Sequence, residues 1–179
     1  MNQPTVDHLA QQLSGLRDQR GTTIHALSMR QPLLLVLLRH IGCPFCRKVL
    51  HELSESLPYI SDCGYSVGLV HMNDEAEMTG PLTQYGLLEV PRFYDPERRL
   101  YQALGLPRAQ LRQALNIHLW KEGVRLRKRY GFSTPKADPL QLPGAFLVDQ
   151  GKVVAGEPVM TPDESPDFLA LLIRSEAVA

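Results

Sequence analysis

Cysteine is scarce, with three in 179 residues. That is too few for the disulfide scaffold that small secreted domains use in place of a large core. Net charge is absent as well, because 19 Lys and Arg balance 19 Asp and Glu, so the chain carries no global field for holding nucleic acid or an anionic membrane. The longest apolar run, Leu33–Leu38, falls far short of the roughly 20 residues that span a bilayer. The segment Met1 to His8 has no basic stretch followed by an apolar one, so no secretory signal is expected and the cytoplasm is the expected location. No Gly-rich phosphate loop, His-Glu-x-x-His motif or Ser-His-Asp order is found in the sequence, and with them go the chemistries they serve. What remains is 44% hydrophobic and 21% charged residues, the balance of a globular protein, and a length that suits one domain over 1–179.

Apolar Val6, Leu9, Leu13 and Leu16 recur at spacings of three and four, predicting an N-terminal helix within about residues 1–20 that Gly21 ends. Thr22 to Leu27 reads as a short strand. Leu33 to Leu38 is apolar at every position, as a central strand covered on both faces is. Val49, Leu50, Leu53 and Leu57 then share one helical face, so Cys43-Pro44-Phe45-Cys46 lies at a strand-to-helix turn. Ser66 to His71 is the next strand and Asp74 to Tyr85 the next helix, although Gly80-Pro81 interrupts it. Pro91 to Tyr94 reads as a short strand. Asp95-Pro96 reads as an N-cap with proline at the first helical position, and Gly105 as the end of that helix. A helical insertion is expected between about 107 and 135. Ala145 to Val148, the Asp149-Gln150-Gly151 turn and Lys152 to Ala155 make a hairpin, followed by a helix that Ser165 caps with Pro166 in its start. This order, β-α-β, helices, β-β-α, is that of an α/β thioredoxin-like fold, a central mixed sheet flanked by helices.

A redox dithiol needs one thiol that ionises near neutral pH and a second within disulfide reach. A Cys-x-x-Cys turn opening a helix supplies both, because the unpaired N–H groups and dipole of the first turn favour a thiolate. Cys43 is then the attacking thiol and Cys46 the resolving one. Arg39, His40 and Arg47 flank the pair, and Arg47 is the expected source of positive potential at sulfur. Zinc is the competing use of such a pair, with His40 and His51 as further ligands. Against it stand the spacing of His51, the lack of a second Cys-x-x-Cys and the buried strand ahead of the motif. No metal and no cofactor is therefore expected.

Leu142-Pro143 immediately precedes the late strand. In thioredoxin-like folds a proline at that place is cis and faces the dithiol, so Leu142–Pro143 is expected cis, with the Leu142 backbone open to a substrate chain. Val90-Pro91 is the competing position.

The segments Arg39-His40-Ile41-Gly42-Cys43-Pro44-Phe45-Cys46-Arg47, Tyr94 to Leu106 and Pro143 to Val153 together resemble the AhpC/TSA peroxiredoxin-like family over about residues 30–175. The resemblance is to the branch of peroxiredoxin-like 2 and selenoprotein L type proteins, in which Cys-x-x-Cys replaces the usual peroxidatic motif. It implies a thioredoxin fold with thiol-dependent antioxidant or disulfide oxidoreductase activity. The implied substrate is a disulfide or a peroxide, and the reductant is thioredoxin or glutathione. Peroxiredoxins proper carry Pro-x-x-x-Thr-x-x-Cys. Placing that cysteine on Cys46 puts Arg39 at the proline and Cys43 at the threonine, a register in which Cys46 rather than Cys43 would attack. The Pro-Phe pair between the cysteines is similar to the glutaredoxin motif, which keeps a glutathione-linked activity open, and a non-catalytic redox sensor or binding module is the alternative of another class.

Other features read more plainly. Cys63 follows Ser61-Asp62 in a loop and reads as a small packed residue rather than an extra resolving thiol. Arg125-Leu126-Arg127-Lys128-Arg129 is a solvated helix face, and only Trp120 and Tyr130 flank it, too little aromatic interleaving for nucleic acid. Trp120 suits core or interface packing. Insertion helices in this fold cover the active site or join two copies, so a homodimer is compatible with it. His118 reads as a core-edge histidine, His71 as a sheet-end one, and Asp74, Glu75 and Glu77 as the acidic first turn of a helix.

Overall fold

The computed structural model describes residues 3–110, 117–134 and 136–176. Its five strands are β1 (Leu33–Leu37), β2 (Ser66–His71), β3 (Arg92–Tyr94), β4 (Gly144–Asp149) and β5 (Lys152–Pro158). They form one sheet in the order β3-β2-β1-β4-β5. β1, β2 and β3 run parallel; on the other side of β1, β4 pairs antiparallel with β1 and β5 antiparallel with β4. This is the mixed sheet of the thioredoxin-like fold.

β1 is buried at all its positions because both faces of the sheet are covered. Leu34, Val36 and Leu38 pack with Val49, Leu50 and Leu53 of α3 (Pro44–Asp62), Met78 and Leu82 of α4 (Glu75–Gln84), and Phe168, Leu171 and Leu172. Leu33, Leu35 and Leu37 face the other way, toward Leu13 of α1 (Gln3–Gly15), Ile24 of α2 (Ile24–Ser28), and Leu100 and Tyr101 of α5 (Arg99–Ala103). A β-strand sends alternate side chains to opposite faces, so one uniformly apolar hexapeptide feeds two cores. Among the described residues two further helices follow α5: α6 (Ile117–Tyr130), packed on α3, and α7 (Phe168–Glu176).

Several expectations are corrected. Residues 22–27 form no strand: Thr23 accepts a hydrogen bond from the Ala26 N–H at 3.0 Å and caps α2, so the N-cap chemistry of threonine overrides a weak alternation. α1 ends at Gly15, and Gly21 instead sits at φ +82° in a turn whose neighbours Arg17 and Thr23 pair. α5 starts later than Asp95-Pro96 predicts. The Asp95 carboxylate still accepts from the N–H groups of Arg99 and Leu100, at 3.0 and 2.9 Å, but it reaches them across a turn in which Arg98 takes φ +59°. Gly105, at φ +70°, ends that helix as expected. α7 is capped by Asp167, whose side chain accepts from Ala170 N–H at 2.9 Å, rather than by Ser165 and Pro166. The insertion is not helical from its start: Ala109 N–H donates to Leu140 O at 2.7 Å and Arg108 bridges Gln141. The part of the expected helix at 111–116 lies outside the described residues, as does the side chain of His118. The β4–β5 turn follows its sequence, with Gln150 and Gly151 both at positive φ.

Among the described residues no helix is long and apolar enough to cross a membrane.

Candidate active site

The cysteine turn leaves the carboxyl end of β1, where parallel strands and their connecting loops expose backbone to a crevice. Cys43 is the N-cap of α3, in extended conformation, and Pro44 occupies the first helical turn, where a missing N–H costs nothing. Cys46 lies one turn further on, fully buried. All three cysteines are free thiols. Cys43 is only 6% exposed, and with Phe45, Cys46, Leu126 and Tyr130 it forms a small apolar cluster separate from the two sheet-backed cores. α6 therefore roofs the dithiol. Tyr130 and Leu126 had no sequence signal beyond helical spacing, because which helix crosses the cysteines is a matter of tertiary path.

The electrostatics of the pair are asymmetric. A hydrogen bond from the Cys46 thiol, opposed by burial and aided by the Arg39 charge and the backbone N–H groups of Cys46 and Phe45, holds Cys43 down to about 6. Burial pushes Cys46 well up, and the Cys43 sulfur adds to the effect. Two interacting thiols thus divide into an ionised outer one and a protonated inner one. Arg39 donates from Nη2 to the Cys43 sulfur at 2.8 Å and to the Pro162 carbonyl at 3.4 Å, and its guanidinium stands 5.7 Å from the Phe45 ring centroid. Burial works against its charge, but the Cys43 and Cys46 sulfurs outweigh that and raise it.

This corrects the expectation for Arg47. Its Nε donates to Ile41 O at 3.2 Å and its Nη1 to Tyr130 O at 3.1 Å, so it ties the cysteine loop to the end of α6 and does not address sulfur. Arg47 starts inside α3 and is carried away from the N-cap by the helix, whereas Arg39 precedes the loop and folds back over it. Gly131 is required there: it sits at φ +82°, and a Cβ would lie 2.6 Å from Arg47 Nη1. His40 adds no positive charge either, since burial and the neighbouring Arg39 bring it down to about 4.

The Leu142–Pro143 bond is trans, as is Val90–Pro91; among the described residues there is no cis peptide. The backbone of Leu142 is also occupied. Its N–H donates to Pro107 O at 3.2 Å, and its carbonyl accepts from Gln141 Nε2 at 3.1 Å. The segment 107–109 has taken the place expected for a substrate chain, which is the physical reason the expectation fails. The zinc arrangement is likewise not assembled: His51 faces Tyr85 and Tyr130, and no group of three or more His, Cys, Asp or Glu among the described residues is placed to hold a metal. Cys63 is the C-cap of α3, at the opposite end of that helix from Cys43.

Two features escaped the sequence. Tyr101 is wholly buried and donates to the carbonyls of Leu38 and Val70, at 2.6 and 3.1 Å, pinning the ends of β1 and β2 beneath the cysteine loop. Beside Arg39 and Pro44 there opens a mainly apolar cleft of about 350 Å³, walled by Trp120, Val124, Phe132 and Leu140. Trp120 is 65% exposed, so it belongs to the rim of this cleft and not to a core.

The loop also depends on Gly42. A Cβ there would lie 2.4 Å from the Ser133 carbonyl, whose own N–H donates to Gly42 O at 3.1 Å. Gly42→Ala must push the two backbones apart, and overpacking of this kind costs about 1–3 kcal/mol. Denaturant unfolding is expected to register that loss.

The sheet order and the cysteine turn at the head of α3 define a protein of thioredoxin-like fold. The sequence matches the AhpC/TSA family over residues 6–156, and the chain belongs to that family. Membership supports a peroxiredoxin-type redox function. Solved structures share the fold. The bacterioferritin comigratory protein of Xanthomonas campestris, described for its alkyl peroxide reduction activity, is similar at TM-score 0.64 and 17% identity over 94% of each chain. Peroxidoxin BcpB of Mycobacterium tuberculosis is similar at 0.61 and 15% over 92% of each. Peroxiredoxin 6 of Arenicola marina is similar at 0.63 and 13%, over 92% of this chain and 70% of its own. No curated protein sequence matches the chain.

Proposed function

We propose that the protein is a thiol-disulfide oxidoreductase with peroxiredoxin-like antioxidant activity, working through a redox-active Cys43–Cys46 dithiol. The observation that carries this reading is the buried Arg39 guanidinium 2.8 Å from the sulfur at the N-cap of α3. It belongs with the branch of the family in which Cys-x-x-Cys stands for the usual peroxidatic motif. Cys43 is the nucleophile in this reading, because it is the ionised member of the pair, and the deeper Cys46 is the resolving thiol.

With a peroxide, the Cys43 thiolate attacks one oxygen, the O–O bond breaks, and the leaving alkoxide or hydroxide takes a proton. The Cys43 sulfenic acid is then attacked by Cys46, water leaves, and the Cys43–Cys46 disulfide closes. With a disulfide, Cys43 forms a mixed disulfide and Cys46 displaces the remaining thiol. Either way the protein ends two electrons oxidised, and an external thiol reductant, thioredoxin or glutathione, reopens the bond. Pro44 opens the helix and Phe45 packs against the Arg39 guanidinium, while Leu142 and Pro143, just ahead of β4, are the site's proposed neighbours, with the Leu142 backbone already hydrogen-bonded. No cofactor takes part. The cycle suits the cytoplasm, where thiols are kept reduced.

A redox titration with mass-resolved thiol trapping tests the reading. The expected result is a Cys43–Cys46 bond that forms reversibly between about −270 and −120 mV, the span of thioredoxin-fold oxidoreductases, with Cys63 left free. Failure to form that bond, or pairing through Cys63, overturns it.

A further inference from the structure

The proposed cycle needs a reductant, and the outer face of α6 carries the means to select one. The helix holds Lys121, Arg125, Arg127, Lys128 and Arg129, all exposed, against one acid, Glu122. Only Arg125 pairs with that acid, at 3.7 Å, while Arg127 and Arg129 stand over the rings of Phe132 and Tyr130. A chain with no net charge has thus gathered a strong positive patch on the one helix that roofs its cysteines. The same helix supplies the exposed Trp120 and Val124, which with Phe132 and Leu140 wall the cleft of about 350 Å³ next to Arg39 and Pro44.

Resting on the Cys43–Cys46 cycle above, we propose that this face docks an acidic dithiol protein as the reductant, which seats one apolar side chain in the cleft. The cleft is lined mainly by apolar side chains, which suits an apolar side chain of a polypeptide better than glutathione, a small and highly polar thiol. Arg127 in the cleft wall and the exposed Lys121, Arg125, Lys128 and Arg129 along the same helix suit an acidic surface, since opposite potentials steer encounter and fix register. A partner seated there brings its thiol to the Cys43 edge of the disulfide. Its thiolate attacks the Cys43 sulfur, the Cys43–Cys46 bond breaks, and Cys46 leaves with the electron pair and takes a proton. The partner's second thiol then attacks its own mixed-disulfide sulfur and releases Cys43. The protein gains two electrons and the partner becomes a disulfide.

The test compares two reductants of the oxidised protein, a thioredoxin of net negative charge and dithiothreitol, with the rate followed by thiol trapping. Raising salt from low to physiological strength is expected to slow the thioredoxin reaction about tenfold or more, and Arg125→Glu with Lys128→Glu to slow it likewise, while the dithiothreitol rate stays within about twofold. Trp120→Ala is expected to weaken saturation by thioredoxin. The proposal is overturned if the charge reversal leaves the thioredoxin rate unchanged or slows both reductants equally. It is also overturned if the reversal changes only self-association or binding to anionic vesicles. Should dithiothreitol itself fail to reopen a Cys43–Cys46 bond, the cycle fails rather than the docking face.

Discussion

Cys43→Ser is expected to reduce thiol-dependent turnover to the solution background, a loss of roughly three orders of magnitude or more, since removing a nucleophile abolishes the step it carries. The fold is expected to persist. Cys43 is the N-cap of α3 and serine is a favoured N-cap, so α3 keeps its start. Cys46→Ser is the informative companion. It leaves the outer thiol able to attack but removes the group that resolves the product, so a mixed disulfide on Cys43 accumulates and turnover stops after one event. Mass analysis of the trapped adduct, with circular dichroism as the control on folding, checks both variants. An adduct on Cys46 in the Cys43→Ser protein would instead make Cys46 the attacker, as in the peroxiredoxin register.

The second large effect concerns Arg39. In the native protein, alkylation of Cys43 is expected to rise with pH through about 6 and to level off above neutrality, because only the thiolate reacts. Arg39→Gln removes a positive charge 2.8 Å from the sulfur. Loss of such a partner moves an acidic group up by about 1–3 pH units, and the thiolate fraction at pH 7 falls about tenfold for a shift in the middle of that range. The sign is fixed: the variant is slower at neutral pH and recovers as pH rises. A purely structural role for Arg39 would slow alkylation at every pH and leave the midpoint where it was. The pH profile therefore separates the two.

The frame of the molecule was legible in its residues. An apolar hexapeptide at Leu33–Leu38, the cysteine turn, the periodic face of Val49, Leu50 and Leu53 and the Asp149-Gln150-Gly151 turn each carry a local signal that tertiary packing does not reverse. The place of the site was legible too: the strand-to-helix turn read for Cys43 and Cys46 is the N-cap and first turn of α3. Its surroundings were not. Arg39 and Arg47 stand equally far in sequence from Cys43, one on either side, and only the direction in which α3 leaves its N-cap decides that one meets Cys43 and the other meets the end of α6. Leu142 failed for a related reason. Its place before β4 marks it as a strand neighbour, but the pairing of 107–109 with 140–142 is long-range in the chain and leaves no periodic trace. The short α2 was missed because a single cap at Thr23 outweighs the side-chain alternation over so few residues.

The separate cluster around the cysteines has a thermodynamic consequence. Cys43, Phe45, Cys46, Leu126 and Tyr130 are buried against one another rather than within either sheet-backed core. Lifting α6 forfeits this small cluster and the Arg47 bond to the Tyr130 carbonyl, and it leaves the packing that holds β1 in place. Such a unit opens at a cost below that of global unfolding. The dithiol can thus be uncovered and closed many times while the framework stays folded, so selection can tune the rate of thiol exchange through Leu126, Tyr130 and Gly131 without drawing down the stability of the fold.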